Sequence, residues 1–327
     1  MVWLEQFVNT LNAPTWMIIG AFITALLTGS LTGPALRLCG GEPGHWKVGM
    51  TIVAAALGAG LAWAMHAGHC QEVPEVRPSV MTHSLRILFH LVFLACLLVV
   101  TATDLATLYI PDFVLFLGGS IAITAAFLVG DLQIAHVWVD WNAEIPQIKG
   151  PDIPVWLAEH PHLHGLAWSL VGAGVGAGLT QLVKSVAERV LGQPAMGSGD
   201  VTLMAMVGAF LGWQPTVIAF FFAPLLALTL GPLARRISRE RAVPYGPFLA
   251  AGAILVLFAW RWIWMFEIDI SLNAQPGEED RLTRFAIRRL FGDGLLLLGL
   301  LSAALGGTAL LMGILRWFRS VEIKLPD

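Results

Sequence analysis

Long apolar stretches alternate with short polar ones along almost the whole chain. A helix needs about 20 mostly apolar residues to cross the hydrocarbon core of a membrane. Nine stretches are candidates for such helices, at 15–38, 48–68, 85–103, 110–129, 166–184, 200–212, 214–234, 246–265 and 293–315. The sixth is short, and we expect it to meet the seventh in a tight hairpin at the Gly-Trp-Gln-Pro sequence that begins at Gly212.

The pattern and the composition predict the same fold class. Open strands cannot satisfy their backbone hydrogen bonds in lipid, and no stretch shows the two-residue alternation of a membrane barrel, so no strands are expected. The chain is 57% hydrophobic and only 13% charged, against about 25% charged residues in soluble domains. We therefore expect an all-α fold, a polytopic transmembrane helical bundle of about eight or nine helices in contact with the lipid bilayer. The net charge of −3 indicates no nucleic-acid partner.

The distribution of lysine and arginine predicts the orientation of the helices. Neither residue precedes the first helix, whereas Arg37 and Lys47 follow it, which places the N-terminus outside and the 39–47 loop inside. By alternation, three further basic sequences fall inside, namely 184–189, 235–241 and 316–324. The stretch 267–292 departs from this rule, because it carries arginines on the predicted outside, and we interpret it as an amphipathic surface helix.

Two aspartates stand at the ends of apolar stretches on the same predicted side. Asp104 closes the third helix, and Asp200 opens the sixth directly after Gly-Ser-Gly. Two helices lie between them, so both aspartates emerge at the inner face. An uncompensated charge in the bilayer costs about 2.5–3.5 kcal/mol on insertion scales, so acids at these places indicate a function.

Such a pair of aspartates has a definite chemistry when its members are close together. Like charges a few ångströms apart cannot both ionise cheaply, so the two carboxyls share one proton. The ionised group can take a proton from water, and the protonated group can donate to a peptide carbonyl oxygen or to the leaving amine. This is aspartic proteolysis. Gly197 and Gly199 fit it, because glycine lets a substrate backbone approach closely.

Each acid also has a structural explanation. An aspartate before a helix commonly caps it, which on its own would account for Asp200. Asp104 is equally explained as a solvated helix end. Asp112 lies in the first turn of the fourth helix beside Pro111, where a proline at N1 and an acid both favour a helix start. For Asp112 we prefer that structural interpretation.

Three segments resemble the type IV prepilin peptidases, which are membrane aspartyl proteases of the GxGD class. The sequence MGSGDVTLMAMVGAFLGWQ at 196–214 resembles the second-aspartate segment of the family, and TDLATLYIPD at 103–112 is similar to the first. The sequence VPYGPFLAAGAILVL at 243–257 resembles a third stretch, in which Pro-aromatic-Gly-Pro leads into a helix. A weaker similarity to the N-terminal motif of the family lies at 29–38.

The resemblance implies an aspartic endopeptidase of the cell inner membrane. It would cleave the leader peptides of prepilin-like or pseudopilin-like substrates at the cytoplasmic face, with Asp104 and Asp200 as the catalytic pair. The residues implied to bind substrate or to support the motifs are Gly197, Gly199, Pro111, Asp112, Tyr245 and Gly246. Tyr245 and Phe248 either line the mouth of the active site or belong to an interfacial aromatic belt. No cofactor is expected.

The chain departs from the family pattern in several places. Ala106 stands where members often carry a second acid, and Thr202 stands where lysine is common. The 39–47 loop lacks the two zinc-binding CxxC pairs of bifunctional members, so we expect neither a metal nor N-methyltransferase activity. The alternative function is therefore a catalytically degenerate homologue that helps to assemble a pilus or secretion system. A transporter would need deeper acids and inverted repeats, which the sequence lacks.

The resemblance also divides the chain into three parts. Residues 1–84 are an N-terminal helical hairpin that is degenerate relative to the family. Residues 85–265 are the catalytic membrane domain, which includes an outer loop at 130–165. Residues 266–327 add an amphipathic segment and a C-terminal transmembrane helix.

Other residue clusters have structural interpretations. The histidine-rich sequences at 66–70 and 160–165 fall on the predicted outside, where we expect surface or interface roles rather than a metal site. The tryptophans in or just after the outer loop suit the membrane interface, and they are Trp138, Trp141, Trp156 and Trp168. The glycine run at 172–178 presents two small-residue faces, Gly172 with Gly176 and Gly174 with Gly178, which predict close helix packing.

Overall fold

The structure is a computed structural model that describes residues 10–76, 78–137, 159–194, 196–237, 244–269 and 284–320. Its first eight helices are α1 Ala13–Leu38, α2 Gly44–His66, α3 Val80–Thr107, α4 Asp112–Val129, α5 Pro161–Leu191, α6 Ser198–Leu211, α7 Trp213–Ile237 and α8 Gly246–Trp264. They are followed by strands β1 Glu267–Asp269 and β2 Arg284–Ala286, the short helix α9 Ile287–Leu290 and helix α10 Gly294–Ser320.

Eight of the described helices are long and apolar enough to cross a membrane, namely α1 to α5, α7, α8 and α10. The predicted all-α bundle is therefore confirmed. Each of the nine predicted stretches coincides with one helix of the structure. The sixth is α6, whose 14 residues extend about 21 Å at 1.5 Å per residue. It is shorter than a full span, as the sequence indicates.

Helix α3 is the central helix of the bundle and contacts α1, α2, α4, α6 and α8. It buries polar side chains that the sequence analysis did not single out, including Arg86 and His90. The Arg86 guanidinium donates to the carbonyl oxygen of Asp131 at 3.4 Å. Because α3 begins at Val80, the predicted boundary at 84 falls inside its first turns, and the division into three parts stays a prediction.

Helices α5 and α6 are in backbone contact through one of the two predicted glycine faces. A Cβ atom at Gly172 would overlap the carbonyl oxygen of Gly208, and one at Gly176 would overlap that of Met204. The prediction for Gly172 and Gly176 is confirmed. The prediction for Gly174 and Gly178 is wrong, because no atom of the described residues lies within 4 Å of a Cβ at either position.

The tight hairpin after α6 is also confirmed, since Gly212 alone separates α6 from α7. Gly212 has a positive φ of 79°, which favours glycine. The indole of Trp168 covers its Cα, so a side chain at this position has no room. Trp168 is fully buried inside the bundle and so does not face lipid, while its predicted depth at the membrane interface stays a prediction. Most of the outer loop, with the three other tryptophans, lies outside the described residues at 138–158.

The two histidine-rich sequences form local contacts at the end of the bundle opposite Asp104. His69 contacts the Glu72 carboxylate at 2.7 Å, and the His162 ring contacts the carbonyl oxygen of Phe127 at 2.9 Å. His164 is buried with its ring centroid 5.5 Å from that of His136. Across the part of the chain that the structure describes, no three His, Cys, Asp or Glu side chains are grouped as metal ligands would be.

The described ends of the 267–292 stretch do not form the predicted amphipathic helix. Strand β1 pairs antiparallel with β2, with Ile268 opposite Phe285, and the four-residue α9 follows. An ion pair between Glu267 and Arg288 joins the segments that carry β1 and α9, so opposite charges hold the described parts of this stretch together. The expectation of no strands is also wrong for these six residues. Residues 270–283 lie outside the described part, as do 238–241 of the basic sequence 235–241 and the last residues of 316–324.

The contact between α5 and α6 predicts unequal effects of alanine at two neighbouring glycines. Gly172→Ala forces a methyl group against the Gly208 carbonyl, and such overpacking costs about 1–3 kcal/mol. Gly174→Ala places the same methyl in open space. We expect the thermal midpoint of the detergent-solubilised protein to fall for Gly172→Ala only. Equal midpoints for the two variants would contradict the close packing of α5 on α6.

Candidate active site

Asp104 lies in the last turn of α3, which ends about one turn later than the sequence predicts. The helix continues to Thr107 and is closed by Leu108, whose N–H donates to the Asp104 carbonyl oxygen at 2.9 Å. Leu108 is left-handed with φ of 57°, which costs a residue with a side chain about 1–2 kcal/mol. This reversal directs the chain away from α3 and into the Tyr109–Asp112 turn.

The turn after Leu108 ends at the start of α4. Pro111 is buried and occupies the N-cap position with ψ of 113°, rather than the predicted N1 position. Asp112 is then the first helical residue and is exposed. An acid at this place stabilises the helix start through the macrodipole, in agreement with the structural interpretation preferred from the sequence.

Asp200 is the third residue of α6, and Gly197 is the N-cap. The Asp200 carboxylate accepts a hydrogen bond from the Gly197 backbone N–H at 3.1 Å. Asp200 therefore does cap the start of α6, as the capping interpretation predicts. It does so as the third helical residue and not as the residue before the helix. Asp200 is only 7% exposed and Asp104 only 5%, so neither carboxyl is a solvated helix end.

The two aspartates line one pocket of about 340 Å³. The Asp200 carboxylate is close enough to act electrostatically on Asp104, and the Gly246 backbone N–H donates toward Asp104. The structure thus brings together side chains from the end of α3 and from the starts of α6 and α8. The remaining lining residues are Leu108, Tyr109, Ile110, Asp112, Met196, Gly197, Ser198, Gly199, Pro244 and Tyr245.

Ile110 explains why two of the predicted site glycines have no side chain. A Cβ at Gly199 would lie 3.0 Å from the Ile110 Cβ. A Cβ at Gly246 would lie 2.5 Å from the Asp104 carboxylate and 3.1 Å from Ile110 Cδ1. The sequence predicted that a substrate backbone approaches Gly199, but Ile110 occupies the space beside it. Gly197 differs from these two glycines, because a Cβ at Gly197 would lie 3.5 Å from the Asp200 carboxylate, an ordinary van der Waals distance.

Tyr245 lines the pocket, whereas Phe248 packs in the core of the bundle. Burial, and secondarily the Asp200 charge, raise the pKa of Tyr245 to about 12. The phenol therefore stays protonated at neutral pH and presents a hydrogen-bond donor to whatever occupies the pocket. Its ring centroid is 6.4 Å from that of Phe248.

Taken together, the pocket offers two buried carboxyls, a protonated phenol and backbone amides at one end of the bundle. Two carboxyls in electrostatic contact form a pair that can both accept and donate a proton. Such a pair can activate water and protonate a leaving group without a covalent intermediate. The chemistry available to the pocket is therefore acid–base hydrolysis.

Comparisons with known proteins show a similarity to a family of peptidases. Residues 155–231, which include Asp200, match the model of the Type IV leader peptidase family. The resemblance to that family is confirmed over this part of the chain. Asp104 lies outside the matched residues, so its connection to the site rests on the geometry of the pocket.

Three curated relatives, each named "Prepilin leader peptidase/N-methyltransferase", show the extent of the similarity. The Pseudomonas aeruginosa protein is 34% identical over 120 residues, which cover 33% of this chain and 41% of the relative. The Aeromonas hydrophila protein is 38% identical over 71 residues, 20% of this chain and 24% of the relative. The Bacillus subtilis protein is 28% identical over 106 residues, 32% and 41% of the two chains.

The similarity is partial along both chains. The match spans between 30% and 41% of the length of the first curated relatives. No solved structure matches the chain. Any activity of the whole protein is therefore a matter for proposal and experiment.

The left-handed residue that follows Asp104 yields a prediction about stability. Leu108→Gly and Leu108→Ala remove the same half-exposed side chain, but only glycine relieves the left-handed strain. We expect the glycine variant to be more stable than the alanine variant by about 1 kcal/mol, measured by thermal unfolding in detergent. Equal stability of the two variants would mean that residue 108 does not reverse the chain in this way.

Proposed function

We propose that this protein is a membrane aspartic endopeptidase that cleaves the leader peptides of prepilin-like or pseudopilin-like substrates. The observation that carries the proposal is the meeting of Asp104 and Asp200 in one pocket, with both carboxyls buried. The match of residues 155–231 to the Type IV leader peptidase family supports the substrate class. The names of the curated relatives support it as well.

In the proposed mechanism the pair holds one shared proton. The ionised aspartate accepts a proton from a water molecule as that water attacks the scissile peptide carbonyl carbon. The protonated aspartate donates to the carbonyl oxygen and, after proton redistribution, the leaving amine is protonated as the C–N bond breaks. Water supplies both the hydroxyl group on the new carboxyl terminus and a proton, so the reaction needs no cofactor or covalent enzyme intermediate.

The position of the pocket suits a substrate that is held in the bilayer. Asp104 and Asp200 stand at helix ends rather than near the middle of α3 and α6. A substrate whose apolar helix lies in the membrane would present the peptide just before that helix at the same depth. The distribution of lysine and arginine supports the cytoplasmic face of the inner membrane as the side of cleavage.

The proposal covers the peptidase activity alone. The names of the relatives also include N-methyltransferase, but the connection between α1 and α2 in this chain is only Cys39–Pro43. That connection contains one cysteine and no CxxC pair. Nothing in this loop supports the second activity.

A second candidate function has one observation in its favour. Ala106 and Thr202 depart from the acid and the lysine common in the family at these places. A degenerate homologue that acts as a membrane assembly factor for a pilus or secretion system would tolerate such changes. It would not need to keep both aspartates buried in one pocket, so we prefer the peptidase.

The peptidase proposal predicts the loss of cleavage when either aspartate is neutralised. Pseudopilin-like proteins of the same genome are co-expressed with wild type, with Asp104→Asn and with Asp200→Asn, and the mass of each substrate N-terminus is measured. Each asparagine variant lacks the shared proton, and we expect activity to fall by at least about 10³-fold, the scale of losing acid–base catalysis together with its electrostatic support.

The matched control is Glu188→Gln, because this acid lies on α5 outside the pocket. It should cleave like wild type. Leaders that remain uncut by wild type, with the protein present in the membrane, would favour the assembly factor. Asparagine variants that cut like wild type would disprove the aspartic mechanism. The same mass spectra reveal any added methyl group.

A further inference from the structure

The contact between α5 and α6 determines which residues of the two helices lie opposite each other, and this register extends to Asp200. Gly172 lies against Gly208, and Gly176 lies against Met204. A step of four residues toward the C-terminus of α5 is therefore matched by a step of four residues toward the N-terminus of α6. The two helices run antiparallel, and residues i and i+4 lie on the same face of each helix. The next step places Thr180 opposite Asp200, and Lys184 lies one turn further along the same face of α5, beyond the start of α6.

The side chains at these two positions differ in what they offer Asp200. Thr180 is fully buried and donates its hydroxyl hydrogen to the Gly176 carbonyl oxygen at 2.8 Å. Lys184 is half-buried one turn further on, and its ammonium is close enough to act electrostatically on the Asp200 carboxylate. Its charge favours the ionised form of Asp200.

The surroundings of the two aspartates are otherwise similar. Each receives one backbone N–H, from Gly197 at Asp200 and from Gly246 at Asp104. Tyr245 faces Asp200 from the start of α8 and is neutral. Among the described residues, Lys184 is the cation that acts on the pair, and it acts on Asp200. The helix dipoles add to this difference, because Asp200 starts α6 whereas Asp104 ends α3.

We propose that Lys184 is a positioning residue that keeps the negative charge of the pair on Asp200. Asp104 then carries the shared proton in the resting enzyme, and Asp200 is the base that takes the proton from water. This assignment of roles rests on the proposed peptidase function. It adds to that function by saying which aspartate is the acid, which is the base, and which residue decides between them.

The inference predicts a shift in the pH profile of cleavage when the ammonium is removed. In Lys184→Met the ionised form of the pair loses its favourable charge, so a higher pH is needed to reach it. The acidic limb of the pH profile of kcat should move to higher pH by about 0.5–1 unit. At the pH of that limb, kcat should fall by about threefold to tenfold. Lys184→Arg keeps the charge and should retain the wild-type profile.

A second variant separates charge from packing. Met196 lines the pocket of the two aspartates and is half-buried just before α6, so Lys184→Met combined with Met196→Lys returns a cation to the pocket from a different segment. We expect the double variant to move the acidic limb back toward that of wild type. If the Lys184→Met variant does not accumulate in the membrane, Lys184→Gln takes its place in both the single and the double variant.

The outcomes separate this inference from the proposed function. If wild type cuts no leader, the peptidase proposal fails first. If wild type cuts, Asp200→Asn does not, and Lys184→Met lowers kcat equally at every pH, then Lys184 has only a structural role and the inference is wrong. An unchanged profile in Lys184→Met would overturn it equally.

Discussion

Ile110 packs against both Gly199 and Gly246, and the shape of the pocket depends on this contact. Ile110 belongs to the turn between α3 and α4, whereas the two glycines stand at the starts of α6 and α8. Three segments that are far apart in sequence therefore approach to van der Waals distance at one end of the bundle. Because Asp104 precedes the turn and Asp200 follows Gly199, the same contact brings the two carboxyls to one cavity.

Burying two carboxyls at the end of an apolar bundle has a cost that nearby groups offset. Each carboxyl accepts from a backbone N–H, so neither is left without a donor. Asp200 also lies at the positive end of α6, where the macrodipole stabilises an anion. The two aspartates therefore have unequal surroundings, as the members of other buried acid pairs do. Unequal surroundings make one carboxyl the acid and the other the base.

The sequence predicted the features that depend on long patterns, and it failed where a single neighbour decides. Nine apolar stretches coincide with helices because each runs for several turns, and counting crossings correctly placed Asp104 and Asp200 together. Sequence spacing could not show that Ile110 fills the space beside Gly199, because that contact is set by the tertiary packing of the α3–α4 turn against the start of α6. It also could not separate Gly172 from Gly174, since both fit a small-residue face. The three-residue strands at 267–286 are too short for their alternation to compete with a helical interpretation.

The most direct test of the account is a cross-link between positions 104 and 200. Asp104→Cys and Asp200→Cys are combined in a chain whose three native cysteines are serine, with a specific protease site inserted within 138–158. After mild oxidation, or treatment with a short bifunctional thiol-reactive reagent, in native membranes, followed by proteolysis, we predict that the two fragments migrate as one covalent species. Asp104→Cys with His162→Cys, at opposite ends of the bundle, should give separate fragments. Separate fragments for the 104–200 pair as well would contradict the shared pocket.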